Sequence, residues 1–178
     1  RVPFGPRAPQ RIASLTKHVA AAAVLLATDE HRLALDTPIR RLLPELPEWA
    51  ERVSLDHLLT CTAGLRSDEG LAWLAGHPTG GPADDEYLHE LVSRQRSLHA
   101  PPGAAFQYVD TGFRLAVRAV ERLTERSFDD YAGERLFRPL GLVDTRFVAS
   151  DAESVPGLAT SYLVDPRGRA TRYFGLMD

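Results

Sequence analysis

Residues 11–28 read Arg11-Ile12-Ala13-Ser14-Leu15-Thr16-Lys17-His18-Val19-Ala20-Ala21-Ala22-Ala23-Val24-Leu25-Leu26-Ala27-Thr28. From Ser14 to Thr28 the stretch is rich in Ala and Leu and holds no Gly or Pro, which predicts a buried helix. Ser14 and Lys17 are three residues apart near its start, so hydroxyl and amine share one face. A serine hydroxyl is a poor nucleophile until a neighbour takes its proton. An amine can do so if desolvation or nearby positive charge lowers its pKa. A helix start also favours developing negative charge, and the Ser14 backbone N–H can donate to an oxyanion. Lys17 is the only lysine among 21 basic residues. With the serines scattered at random, one would precede that lysine by three positions in roughly 5% of cases. A helix cap followed by a solvated lysine accounts for the same residues, and the segment alone leaves both readings open.

Working outward, Arg1 to Gln10 is rich in Pro, Gly and Arg and reads as a loop. Thr37-Pro38 predicts a short helix that stops before Pro44. Ser54 predicts the cap of a helix through about Thr62, ended by Gly64. Arg66 to Ala83, with its many glycines, reads as a surface loop around a short turn at Trp73. Asp84 to Arg96 is amphipathic, with Tyr87, Leu88, Leu91 and Val92 on one face. Pro101-Pro102-Gly103 breaks the chain. Phe113, Ala116, Val117, Val120 and Leu123 follow the helical period from Thr111, and Ser127 with Asp130 predicts a capped helix ending near Phe137. Thr160–Val164 and Arg169–Phe174 flank Asp165-Pro166-Arg167-Gly168 and predict a β-hairpin.

The 178 residues are enough for one domain, with 44% hydrophobic and 25% charged residues. A net charge of -3 without charge runs argues against nucleic acid as a partner. No apolar run reaches the roughly 20 residues of a membrane span. The best, Val19 to Thr28, has no basic leader of a signal peptide, and cytoplasmic and secreted bacterial placements both stay open. A single cysteine excludes an internal disulfide. Cys61 reads as a small core residue, and His57 and His89 as helix-surface or capping residues. No metal-ligand spacing, cofactor loop or carboxylate pair stands out, so no metal or cofactor is expected. A second candidate is Phe106-Gln107-Tyr108-Val109-Asp110, between the Pro-Pro-Gly turn and a helix. A tyrosine on a rigid turn can serve as general base beside an ammonium. Taken alone, the segment is explained better by a tyrosine packed at a helix start.

These segments together resemble the class C β-lactamase and esterase family, related to D-alanyl-D-alanine carboxypeptidases and D-aminopeptidases. Arg11 to Lys17 is similar to its nucleophile segment. Leu33-Ala34-Leu35-Asp36-Thr37-Pro38 with Leu43-Pro44-Glu45 resembles the stretch after the first helix. Leu58-Leu59-Thr60-Cys61-Thr62-Ala63-Gly64-Leu65 resembles "LLTHTSGL", Pro102-Gly103 through Asp110 resembles "PPG…YSN", and Pro139-Leu140-Gly141-Leu142 with Asp144-Thr145 resembles "PLGMxDT". The order is the family's and covers nearly the whole chain. The resemblance implies an α+β, β-lactamase/transpeptidase-like fold. It also implies Ser14 as acyl-enzyme nucleophile, Lys17 as its amine partner, Tyr108 as general base and Asp110 in substrate binding. The activity implied is serine hydrolysis of a small ester, β-lactam or D-amino-acid peptide, with the ester favoured; the alternative is a non-catalytic module that keeps the fold.

Three departures stand out. Asp110 replaces an asparagine, Cys61 replaces a histidine, and the Lys-x-Gly or His-x-Gly strand motif is missing. Residues 1–178 are therefore expected to be the central, mainly helical segment of such a domain. The flanking strands would come from the remainder of its own chain or from a second polypeptide.

Overall fold

The computed structural model describes residues 5, 8–77, 85–148 and 154–172. Helix α1 spans Thr16–Glu30 and is entered through a 3-10 turn at Ala13–Leu15. Its buried positions Ala20, Ala23, Val24 and Ala27 recur at the i, i+3, i+4, i+7 spacing of one helix face. That face packs on α5, Thr111–Thr124, whose buried stripe is Thr111, Gly112, Leu115, Ala116, Ala119 and Val120. Alanine on both faces lets the two backbones approach closely.

Helix α2, Leu55–Leu59, lies against the start of α5. A Cβ on Gly112 would stand 3.0 Å from the Leu58 carbonyl oxygen, so a larger residue there would push the elements apart. Ser54 caps α2 as expected: its Oγ accepts from the His57 N–H at 3.3 Å, while His57 Nδ1 accepts from the Ser54 N–H at 3.2 Å. This is a capping box closed by a histidine. The core beneath α2 comes from Ile39, Leu43, Leu46, Trp49, Val53, Leu55 and Leu58.

Three helix expectations are corrected. Thr37-Pro38 opens only a 3-10 turn, Ile39–Arg41, whose first N–H, on Ile39, donates to the Val53 carbonyl at 2.7 Å. Helix α2 ends at Leu59 rather than near Thr62, since Cys61 takes a left-handed φ of 56°. Part of the loop read at 66–83 is helix α3, Asp68–Leu74. Ser67 caps it by accepting from the Gly70 N–H at 3.1 Å, and two acidic residues in its first turn suit the helix dipole. Gly70 hid that start from a reading by composition. The rest of the loop from residue 78 lies outside the described residues, as does the first residue of the amphipathic helix expected at 84–96; α4 is described over Asp85–Ser93.

The segment that carries Tyr108 is sewn onto the turn after α2. The His99 N–H donates to the Gly64 carbonyl at 2.7 Å, Gly103 N–H to Thr62 at 2.8 Å and Gln107 N–H to Cys61 at 2.8 Å. Gly64 sits at φ +68°, and a Cβ there would lie 2.0 Å from the Ala100 carbonyl oxygen.

After α5, Ser127 caps α6, Phe128–Ala132, which continues as a π-helical turn at Gly133–Phe137. The Tyr131 hydroxyl donates to Glu30 Oε2 at 3.0 Å and Arg135 Nε to Glu30 Oε1 at 2.7 Å, tying this region to the end of α1. The hairpin is present but short: β1, Tyr162–Val164, pairs antiparallel with β2, Ala170–Arg172, Tyr162 facing Arg172. Its expected extension to Phe174 lies outside the described residues. Among the described residues these are the only strands, so the chain holds mostly the helical region of an α+β, β-lactamase/transpeptidase-like fold.

Gly64→Ala is expected to destabilise the protein by more than Gly141→Ala. Both positions have left-handed φ, which costs a side chain about 1–2 kcal/mol, but Gly141 faces open space. Chemical denaturation of both variants checks this; equal losses would mean that the Ala100 contact does not constrain the loop.

Candidate active site

Ser14 lies in the exposed 3-10 turn that leads into α1. The residue before it, Ala13, has φ 47°, a left-handed conformation that costs a non-glycine residue about 1–3 kcal/mol. Such strain in front of a reactive side chain fixes its direction. Lys17 follows one turn later, and its Nζ donates to Ser14 Oγ at 3.1 Å.

The Lys17 side chain is only 17% exposed, so its charge needs partners. Asp110 supplies one, with Oδ1 2.5 Å from Nζ. This contact is an ion pair without the alignment of a hydrogen bond, and Oδ1 itself is buried. The Tyr108 ring centroid lies 4.8 Å from Nζ and that of Phe113 lies 5.9 Å away, both within cation–π range. Thus Ser14, Tyr108, Asp110 and Phe113 gather around one ammonium. Among the described residues no hydrogen bond joins Tyr108 to Ser14; Lys17 is what both approach.

Burial alone pulls the Lys17 pKa down. Asp110 and the Tyr108 hydroxyl together outweigh it and hold the pKa above its ordinary value of 10.5. Lys17 is therefore an ammonium at neutral pH, a donor to Ser14 Oγ rather than an acceptor.

Sequence reasoning missed three contributors. Phe113 read only as a helix-core residue, although it stands three residues after Asp110. Asp68 and Glu69 fell in the segment read as loop. Burial raises the Glu69 pKa first, then the charges of Asp110 and Asp68, against Arg114 and Lys17, so it shares the field of this site. The carboxylates that look scattered in sequence are thus partly collected here by α3.

The remaining candidates lie elsewhere. Cys61 is buried, with its thiol in no disulfide. His57 closes the cap of α2. The His89 side chain, far from surface-exposed at 9%, has its pKa lowered by burial and then by Arg118. Among the described residues no cluster of His, Cys, Asp or Glu could hold a metal, and no helix is long and apolar enough to cross a membrane.

The chain is 28% identical over 162 residues to the D-aminopeptidase of Gluconobacter oxydans (strain 621H), covering 91% of this chain and 30% of that protein. It is 34% identical over 161 residues to esterase EstB of Burkholderia gladioli, covering 80% of this chain and 39% of the esterase. The crystal structure of D-amino acid amidase from Ochrobactrum anthropi SV3 complexed with D-phenylalanine superposes with a TM-score of 0.76 at 26% identity, over 92% of this chain and 45% of that one. The chain thus spans well under half the length of these relatives. The family model described as Beta-lactamase matches residues 1–176. With fold, segment order and family model in agreement, the chain belongs to the Beta-lactamase family.

Proposed function

We propose that this chain carries the nucleophile half of a serine hydrolase that works through an acyl-enzyme. Ser14 is the nucleophile, Lys17 and Tyr108 handle its proton, and Asp110 faces the substrate. The observation that carries this reading is the 3.1 Å contact from the chain's single lysine to Ser14 Oγ. In acylation Ser14 Oγ bonds to the substrate carbonyl carbon while its hydroxyl proton passes to the Tyr108 phenolic oxygen. The Lys17 ammonium and the Ser14 N–H stabilise the charge that develops on the oxygens. The bond to the leaving group then breaks, and Tyr108 returns the proton to it. Water repeats the sequence to release the acyl group, restoring Ser14. The positive ends of α1 and α5 favour the same transient negative charge.

Asp110 bears on the substrate class. An ionised carboxylate only accepts hydrogen bonds, where an asparagine would also donate. It repels a substrate carboxylate beside the scissile bond and tolerates a neutral ester or one carrying an ammonium group. Glu69, in the same field, adds to this. The names of the relatives, esterase and D-aminopeptidase among them, are in keeping with that range. The described residues hold only a three-residue hairpin as sheet. We take residues 1–178 as the central, mainly helical part of the domain, with the flanking strands and a second oxyanion donor supplied by further chain or a second polypeptide. Lacking that donor, the segment alone should turn over about 10²–10³ times more slowly than the complete protein; equal rates would contradict this division.

Intact-mass measurement of the complete protein after a fluorophosphonate should find one covalent adduct, lost in Ser14→Ala. A protein that takes no adduct would be a non-catalytic module, and an adduct surviving the substitution would remove Ser14 from its role.

The ammonium role also fixes a pH dependence. Acylation should fall as Lys17 loses its proton, at a pH above the ordinary 10.5 because the fold raises this pKa. In Asp110→Asn the alkaline limb should move to lower pH, since the partner charge is gone. Stability has the same sign: the Lys17 contribution is complete below the unfolded pKa of about 10.4 and is lost as pH rises through the folded value. Asp110→Asn should also shift relative kcat/KM from a short-chain ester toward a chromogenic β-lactam. A ratio that stays put or moves toward the ester would refute the electrostatic argument.

A further inference from the structure

Asp68, on the first turn of α3, is the most deeply buried ionisable group described, at 1% exposure. Its surroundings join it to the site. The Asp68 N–H donates to Thr111 Oγ1 at 2.9 Å, and Thr111 Oγ1 donates to the Arg66 carbonyl at 2.9 Å. Thr111 is the residue after Asp110. One turn along α5, Arg114 Nε stands 3.0 Å from Asp68 Oδ2, and its Nη1 donates to Asp85 Oδ1 on α4 at 2.6 Å. The Arg114 backbone N–H donates to the Asp110 carbonyl at 3.1 Å. Charges therefore alternate through the structure: Lys17 positive, Asp110 negative, Arg114 positive, Asp68 and Asp85 negative.

Burial raises the Asp68 pKa, and Arg114 and the Thr111 hydroxyl only partly offset it. Burial also pulls the Arg114 pKa down, but Asp68 and then Asp85 outweigh it and hold it up. Removing Asp68 alone would leave a largely buried cation without its nearest partner.

We infer that Asp68, through Arg114 and Thr111, is a positioning residue that fixes the place of Asp110 and the charge it presents to Lys17. This rests on the proposed roles of Ser14 and Lys17. With Asp68 ionised, the Arg114 cation is balanced from behind, and Asp110 is left to face Lys17. Neutralise Asp68, and Arg114 turns its uncompensated charge on Asp110 and on the Lys17 ammonium. Both effects loosen the proton on Lys17. The field of Asp110 reaches both Arg114 and Asp68, as their pKa shifts register. Other groups facing the relay are Glu69 on α3, His89 on α4 and Arg118 on α5, the last two lining a small cavity with Asp68 and Arg114. Arg114 and Asp110 are four residues apart at the start of α5, joined by a backbone bond, and no charged residue stands between them in the sequence.

The test is the pH dependence of Ser14 acylation by a fluorophosphonate in the complete protein. In Asp68→Asn the alkaline limb should move down by about half a pH unit. In an Asp110→Asn background the same substitution should produce a clearly smaller shift, because only the direct effect of Arg114 on Lys17 remains. An unshifted limb in Asp68→Asn, or an equal shift without Asp110, overturns the inference. Should Asp68→Asn fail to fold, Asp85→Asn carries the test. Asp85 is 69% exposed, so its loss leaves the core intact and should move the limb in the same direction by less; no movement there counts against the relay. Labelling that persists in Ser14→Ala would sink the proposed function instead, a result separate from either of these.

Discussion

Everything at the site depends on how closely α5 approaches α1 and α2. Alanines at 20, 23 and 27 meet a stripe containing Ala116 and Ala119, and Gly112 meets the backbone of Leu58. Lys17 and Asp110 pair near the starts of α1 and α5, while Glu30 pairs with residues of the segment after α5. The two helices therefore run in the same sense, with their N-termini at one end. That arrangement puts two positive helix ends beside one serine hydroxyl. It also brings Ser14 and Asp110, distant in sequence, to opposite sides of a single ammonium. Larger side chains at the alanine or glycine positions would separate the helices and the reacting groups with them.

The electrostatics follow from the packing. An ammonium that is mostly out of water is tolerable only with counter-charge and hydrogen-bond acceptors. Ser14 Oγ, Asp110 and the faces of Tyr108 and Phe113 supply these. The consequence is a lysine that holds its proton. The loop carrying Tyr108 is held by backbone bonds to the turn at Cys61–Gly64 rather than by its own side chain, which is 55% exposed. An exposed tyrosine on a firmly held loop can meet a substrate without the backbone having to reorganise.

Much of this was legible from sequence. Ser14 with Lys17 stood out because an i, i+3 pair on a helix has fixed geometry. The α5 stripe followed the helical period, and the cap at Ser54 followed from its side chain. What was hidden was tertiary. No local rule brings Asp68 and Glu69 to Asp110, because the contact runs through Thr111 across 43 residues. Nor does local propensity reveal that the Ile39 N–H donates to the Val53 carbonyl. The direction of the Lys17 pKa turned on a balance between burial and two partners, and only the distances decide such a balance. Asp110, noticed as a departure from the family's asparagine, pointed toward the right side of it.

The central claim is that Ser14 is the acylated atom and that Lys17 and Tyr108 act on it. A crystal structure of the complete protein after reaction with a slow phosphonate ester tests it most directly. The account predicts phosphorus bonded to Ser14 Oγ, Lys17 Nζ still between that oxygen and Asp110, and the Tyr108 hydroxyl turned to the adduct. Phosphonylation of another residue, or a Tyr108 hydroxyl directed away from Ser14, would contradict it.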